Sequence, residues 1–154
     1  MIITDKDILK SAIAEEREHG YKIVFTNGCF DLLHPGHVEL LNYASMYGVV
    51  IVGVNDDDSV RRLKGLGRPI NTVADRMLLL IGLSAVDYVV PFSEDTPEKL
   101  VHTVKPDTLM KGVDYKNKYI AGADFVVANG GRVILYDLVE GKSTSNTIKS
   151  IKGE

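Results

Sequence analysis

The strongest constraint on the fold is a set of short apolar runs that carry no polar alternation. Ile23-Val24-Phe25 is one, and Val49 to Val54 is a nearly continuous second, rich in β-branched residues. A strand wetted on one face alternates apolar with polar residues, whereas a strand apolar at every position is covered on both faces. Tyr88-Val89-Val90, Thr108-Leu109-Met110 and Arg132 to Tyr136 read as further short strands. Helical patterns separate them, so the expectation is an α/β fold: a doubly wound parallel sheet of about five strands with helices on both faces.

The helices have local start and stop signals. Thr4 is a candidate N-cap for a first helix ending near His19-Gly20, with Ile8, Leu9, Ala12 and Ile13 on its apolar face. Pro35 to Tyr47 places Val38, Leu41 and Ala44 at helical spacing, and Thr72 caps a helix bearing Val73, Met77, Leu80 and Ile81. Thr96-Pro97 reads as an N-cap followed by a first-turn proline. Ile120 to Ala128 and Thr144 to Ile151 complete the set. At 154 residues the chain is about one domain in size, and no linker, repeat or low-complexity tract divides it. Residues 1–154 are therefore expected to form a single domain, with an N-terminal helix in 1–20 and the core in 21–154.

A formal net charge of -3 offers no bulk field for nucleic acid, so a bound anion must be held by a local arrangement. The single cysteine, Cys29, excludes an internal disulfide and a CxxC zinc site. The N-terminus has acids where a secretory signal would be basic, and no apolar run approaches a membrane span. These features point to a cytoplasmic protein without membrane contact.

In parallel sheets ligands bind beyond the carboxyl ends of the strands, near the point where strand order reverses. Four polar clusters fall after strands: Asn27 to His37, Asn55 to Asp58, Lys111 to Tyr115, and Glu140 to Thr144. In the first, Pro35 suits the opening turn of a helix, which puts His34 and His37 where backbone N–H groups and the helix dipole favour anions. Gly36 allows a ligand close to the backbone. Two imidazole donors there suit a phosphate whose charge grows in a transition state; helix capping by surface histidines is the bland alternative. Lys64, beside Gly65 and Gly67, is either a point charge that swings in or part of a solvated basic loop with Arg61, Arg62 and Arg68. Arg76, opposite its helix's apolar face, is either a solvated arginine or a phosphate ligand. Asp57 and Asp58 read as helix N-caps rather than metal ligands. Ser143-Thr144-Ser145 offers more hydroxyls than capping needs. Cys29 is expected to be inert, and Tyr43, Tyr47 and Tyr136 to serve core or interface packing.

The segment Thr26-Asn27-Gly28-Cys29-Phe30-Asp31-Leu32-Leu33-His34-Pro35-Gly36-His37 resembles the opening motif of the cytidylyltransferase-like nucleotidyltransferases, with their His-x-Gly-His after the first strand. Arg68-Pro69-Ile70-Asn71, Glu94-Asp95-Thr96-Pro97 and Lys111-Gly112-Val113-Asp114-Tyr115 are similar to the branch acting on D-glycero-β-D-manno-heptose 1-phosphate, whose transferase domain is often fused to a sugar kinase. The glycerol-phosphate branch carries an arginine before its Thr-Glu-Gly; this chain reads Leu138-Val139-Glu140-Gly141-Lys142-Ser143-Thr144 and lacks it, as the heptose branch does.

The resemblance implies a Rossmann-like fold and transfer of AMP from ATP to the heptose 1-phosphate, giving ADP-heptose and pyrophosphate. By the same resemblance His34, His37 and Lys64 are catalytic. Thr26, Asn27, Gly28, Phe30, Gly36, Arg76, Lys111, Gly112, Glu140, Ser143 and Thr144 bind the nucleotide and its phosphates. Asp31, Asn55, Asp56, Asp114 and Tyr115 face the acceptor. Magnesium is expected to arrive with the triphosphate, without dedicated protein ligands, and the chain to pair as a homodimer. A CTP- or GTP-dependent relative acting on another sugar or polyol phosphate, such as a glycerol 3-phosphate cytidylyltransferase, and a non-catalytic nucleotide-binding module are the alternatives.

Overall fold

A computed structural model describes residues 1–137 and 144–153, with residues 144–146 as backbone only. The elements run α1 (Lys6–Glu18), β1 (Ile23–Gly28), α2 (Pro35–Ser45), β2 (Val49–Asn55), α3 (Asp57–Lys64), α4 (Val73–Ile81), β3 (Tyr88–Phe92), α5 (Glu98–Val104), β4 (Thr108–Gly112), α6 (Ala123–Ala128), β5 (Arg132–Tyr136) and α7 (Thr144–Lys152). The strands form one parallel sheet of order β3-β2-β1-β4-β5. This is the doubly wound, Rossmann-like architecture expected from the apolar runs, with its order reversing between β1 and β4.

Alternate side chains of each central strand feed opposite faces of the sheet. Ile23, Phe25, Ile51 and Leu109 join Leu9 and Ile13 of α1, Leu100, Val101 and Val104 of α5, and Val126 of α6. Val24, Val50, Val52, Val54 and Met110 join Leu40, Leu41 and Ala44 of α2 and Met77 and Leu80 of α4. Two cores thus share one sheet, which is why these strands show no polar alternation. Gly48 sets the register: at φ +150 an added Cβ would lie 2.1 Å from the Lys22 carbonyl oxygen, to which Val49 N–H donates at 2.9 Å.

Several local expectations shift. Asp5, not Thr4, caps α1, its carboxylate accepting from the Asp7 and Ile8 amides at 2.8 and 3.0 Å, and Ile8 faces solvent. Asp56, rather than Asp57 or Asp58, caps α3 by accepting from Ser59 N–H at 2.8 Å. Pro97 takes the cap position of α5 that Thr96 was expected to hold. Lys64 is the last residue of α3 rather than part of the glycine loop. Ile120 to Gly122 lie ahead of α6, which is correspondingly shorter. Tyr43 and Tyr47 share a hydroxyl hydrogen bond of 2.7 Å, and Tyr136 packs on Tyr43 against the second core. Among the described residues, no helix is long and apolar enough to cross a membrane.

Candidate functional site

The sheet itself opens the site. β1 pairs with β2 over six register positions but with β4 over two, Val24 with Thr108 and Phe25 with Leu109. Beyond Phe25 the two strands part, and their carboxyl ends border a cavity of about 550 Å³. Asn27, Gly28, Phe30, His34, His37, Lys64, Lys111, Asp114 and Tyr115 all line it, so β1, β4 and α3 bring together residues up to 88 positions apart.

His34 occupies the N-cap position of α2 with extended backbone (φ -140, ψ 166), yet its side chain caps nothing. Its ring instead stacks on His37, with centroids 3.7 Å apart and planes 23° from parallel, and Phe30 closes on His37 at 5.0 Å. Phe30 holds φ +48, an uncommon conformation for a bulky residue, and is 7% exposed. The Nδ1 atoms of both histidines and Oδ1 of Asn27 are buried with no hydrogen-bond partner among the described residues. Burial lowers the pKa of both imidazoles; for His37, burial and the neighbouring His34 lower it to about 4. At neutral pH the pair is therefore uncharged in the free protein, and no acidic side chain in the first turn of α2 offsets the positive end of the helix. Buried polar atoms without partners, at a helix N-terminus, suit an incoming oxyanion.

Across the parting, Lys111 is 6% exposed and donates from Nζ to the Asn27 carbonyl at 3.0 Å, bridging the ends of β4 and β1. It also lies 4.8 Å from the centroid of Tyr115, in the 3-10 turn Val113–Tyr115. Burial lowers its pKa to about 8. Lys64 is exposed and makes no ion pair with a described carboxylate. Gly36 is buried inside the first turn of α2 and Gly112 ends β4, each beside the cavity without lining it.

Other expected ligands are committed inward. Arg76 is not opposite the apolar face of α4; it is fully buried. Its guanidinium donates to the carbonyls of Asn71, Cys29 and Asn55 and to the Asp57 carboxylate, at 3.1, 2.5, 2.8 and 2.8 Å. It braces the ends of β1 and β2 and does not line the cavity. Asp31, 1% exposed, borders the cavity but gives its carboxylate to Arg68 Nε (2.6 Å) and to the amides of Ile70 and Asn71. Asn55 is likewise buried, donating to Ser59 Oγ at 2.9 Å, and Asp56 serves as a helix cap. Thr26 lies 2% exposed within β1, away from the cavity. Asp31 and Asn55 border the cavity while making these internal hydrogen bonds, whereas Asp56, Arg76 and Thr26 do not line it. Glu140 and Ser143 lie outside the described residues, as does the side chain of Thr144.

The cavity is also bordered by Leu63, Arg68, Asp95, Thr96, Pro97, Tyr119 and Ala121, none of which the sequence reading named as a site residue. Asp95 and Thr96 carried a signal, since Glu94-Asp95-Thr96-Pro97 follows β3 as the other clusters follow their strands. Cys29 borders the cavity too, and burial raises its thiol pKa, in keeping with an inert thiol at neutral pH. Among the described residues, no three His, Cys, Asp or Glu side chains gather to hold a metal ion.

Residues 25–144 match the model of the cytidylyltransferase-like family. The chain is 55% identical over 152 residues to the Bifunctional protein HldE of Alkalilimnicola ehrlichii, covering 98% of this chain and 32% of that one. It is 56% identical over 142 residues to the protein of the same name from Pseudomonas aeruginosa, covering 92% and 30%. The chain thus spans about a third of the length of these curated relatives. A crystal structure of the lipopolysaccharide core biosynthesis protein from Thermoplasma volcanium superposes with a TM-score of 0.63 at 27% identity, covering 80% of this chain and all of the other. Pantothenate synthetase from Thermus thermophilus shares the fold, with a TM-score of 0.63 at 18% identity over 90% of this chain and 62% of the other. A family model matched over most of the chain, and relatives more than half identical to it, lead to one conclusion: this chain belongs to the cytidylyltransferase-like family.

Proposed function

We propose that the chain is a nucleotidyltransferase that moves AMP from ATP to D-glycero-β-D-manno-heptose 1-phosphate, releasing pyrophosphate. The observation that carries the phosphate chemistry is the stacked His34–His37 pair, buried and without partners at Nδ1, at the head of α2. The heptose branch is supported by the Lys111 to Tyr115 segment beside the same cavity and by relatives named as bifunctional, of which this chain matches one portion.

In the reaction an oxygen of the sugar phosphate attacks the α-phosphorus of ATP in line. The bond from that phosphorus to the bridging oxygen breaks, and its electron pair leaves with pyrophosphate. A phosphate monoester is a competent nucleophile at neutral pH, so no serine, cysteine or general base is needed. The chain contributes position and charge. Neutral His34 and His37 each donate one N–H to the triphosphate, and the anion draws their pKa upward, so they gain positive character as charge develops. Lys64 adds a point charge from the end of α3. Asn27, Gly28, Phe30, Gly36, Lys111 and Gly112 shape the nucleotide side, and Asp114 and Tyr115 the acceptor side. Glu140 adds to the nucleotide side, and Ser143 and Thr144 complete the phosphate cradle. ATP enters as its magnesium complex, the cation held by phosphate oxygens and water as part of the substrate. Residues 1–154 act as one domain, in a cytoplasmic homodimer; sedimentation velocity giving only monomer would remove the dimer.

The decisive assay measures pyrophosphate release with each of four nucleoside triphosphates, with and without heptose 1-phosphate. ATP-dependent release that requires the sugar phosphate, with ADP-heptose identified by mass, is the expected result. Release with CTP or GTP instead would reassign the donor, and no release with any acceptor would leave a nucleotide-binding module.

A further inference from the structure

Arg68 borders this cavity with one edge of its guanidinium fixed and the other without a protein partner among the described residues. Its side chain is 15% exposed and its Nε donates to Asp31 Oδ2 at 2.6 Å. Asp31 is itself immobilised: Oδ1 accepts from the amides of Ile70 and Asn71 at 2.8 and 3.0 Å, and its carbonyl accepts from Asn71 Nδ2 at 2.9 Å. One edge of the guanidinium is thereby fixed. The two terminal nitrogens hydrogen-bond no described group, and Arg68 borders the same cavity as His34, His37 and Lys64. A guanidinium has five N–H donors, and only the Nε one is used here.

Folding gives little reason for this arginine. Asp31 already satisfies two backbone amides, and a buried ion pair adds little net stability because both charges must be desolvated. The electrostatics of the cavity agree with a ligand-directed role. Lys64, Lys111 and Arg68 all border the cavity, which gives it a cationic lining. Arg76 is fully engaged by protein acceptors, and Lys64 is an exposed, unoriented point charge. Lys111 is a buried ammonium tied to the Asn27 carbonyl, whereas Arg68 offers a planar guanidinium fixed at Nε with both terminal nitrogens unfilled.

We propose that Arg68 binds a substrate phosphate, held by Asp31 on one edge and presenting its terminal nitrogens as a two-pronged donor on the other. The carboxylate orients the guanidinium much as an outer carboxylate orients a metal-binding imidazole, and the planar fork matches a phosphate better than an ammonium does. The inference rests on the nucleotidyl-transfer reading for its ligands, which are either the triphosphate or the sugar monoester.

The test is calorimetric titration of ATP, pyrophosphate and heptose 1-phosphate, each alone, into wild type, Arg68→Gln, Arg68→Lys and the double variant Asp31→Asn/Arg68→Gln, with a melting temperature for each. The double variant leaves no unpaired buried charge, so its melting temperature should stay near that of wild type. Its affinity for at least one ligand should fall about tenfold or more, with part recovered in Arg68→Lys. Loss confined to ATP and pyrophosphate assigns Arg68 to the triphosphate, and loss confined to the sugar phosphate assigns it to the acceptor. Unchanged affinities in the double variant, or affinities that return as its stability returns, overturn the proposal. Wild type that binds none of the three overturns both readings. Wild type that binds them but forms no sugar nucleotide overturns only the transfer reaction.

Discussion

His37 shows how a single side chain can be tuned by what surrounds it. Burial and its stacked neighbour lower its pKa to about 4, from the 6.5 ordinary for an imidazole. Between those values the unfolded imidazole takes up a proton that the folded one refuses. Stability should therefore fall as pH drops through this window, by at most about 3 kcal/mol from this group. Denaturant titrations from pH 7 to pH 4 should show this slope, and His37→Gln should flatten it. ATP binding should also take up protons near pH 6, measurable by calorimetry in buffers of different ionisation enthalpy. In turnover, His37→Ala should lose about a hundredfold to a thousandfold while melting close to wild type; near-normal turnover would remove the proposed role. This pair was legible in the sequence because its logic is local: a strand, a glycine, and a proline-led helix within a dozen residues. Asp31 and Arg76 were not. Their partners at positions 68–71 and at 29, 55, 57 and 71 come into range only through tertiary packing.

Among the elements, the ends of β1, β2 and β4 depend on two buried cations with opposite energetic consequences. Arg76 joins the end of β1, the end of β2, the loop before α4 and the first turn of α3. Arg76→Ala should cost about 3–5 kcal/mol in urea unfolding, since it orphans two strand-end carbonyls and Asp57 together. Lys111 makes one bond to a carbonyl, and burial lowers its pKa to about 8 from the 10.5 ordinary for a lysine. In that interval the unfolded lysine holds a proton that the folded one has released, so wild-type stability should rise as pH passes from 8 towards 10.5. Lys111→Met should lose that rise and melt no lower than wild type at pH 7, while its affinity for ATP drops. A clear loss of stability in this variant would mean that Lys111 is a structural tie alone. Strand β5 was read with the bounds it has, because Asn129-Gly130-Gly131 stops one element and Arg132 begins the next. Helix α3 was harder to delimit. Seven of its eight residues are polar or exposed, Val60 alone being both apolar and buried, so its final turn read as loop.

For the molecule as a whole, the two cores lie on opposite faces of a common sheet, with successive residues of β1, β2 and β4 divided between them. Neither face can melt without exposing the strands of the other. Urea unfolding followed by far-ultraviolet dichroism and by tyrosine fluorescence should therefore give coincident single transitions. Two resolved transitions would refute the single-domain reading. The short ladder between β1 and β4 carries a different consequence. It is a seam in an otherwise continuous network of backbone hydrogen bonds, lying deep in the sheet rather than at its rim. Amide deuterium exchange should be faster along residues 27–30 than in the interior of β2, although both belong to the central sheet. A bound nucleotide would close that seam with its own oxygens, so slowed exchange confined to it would map the ligand's footprint without any substitution.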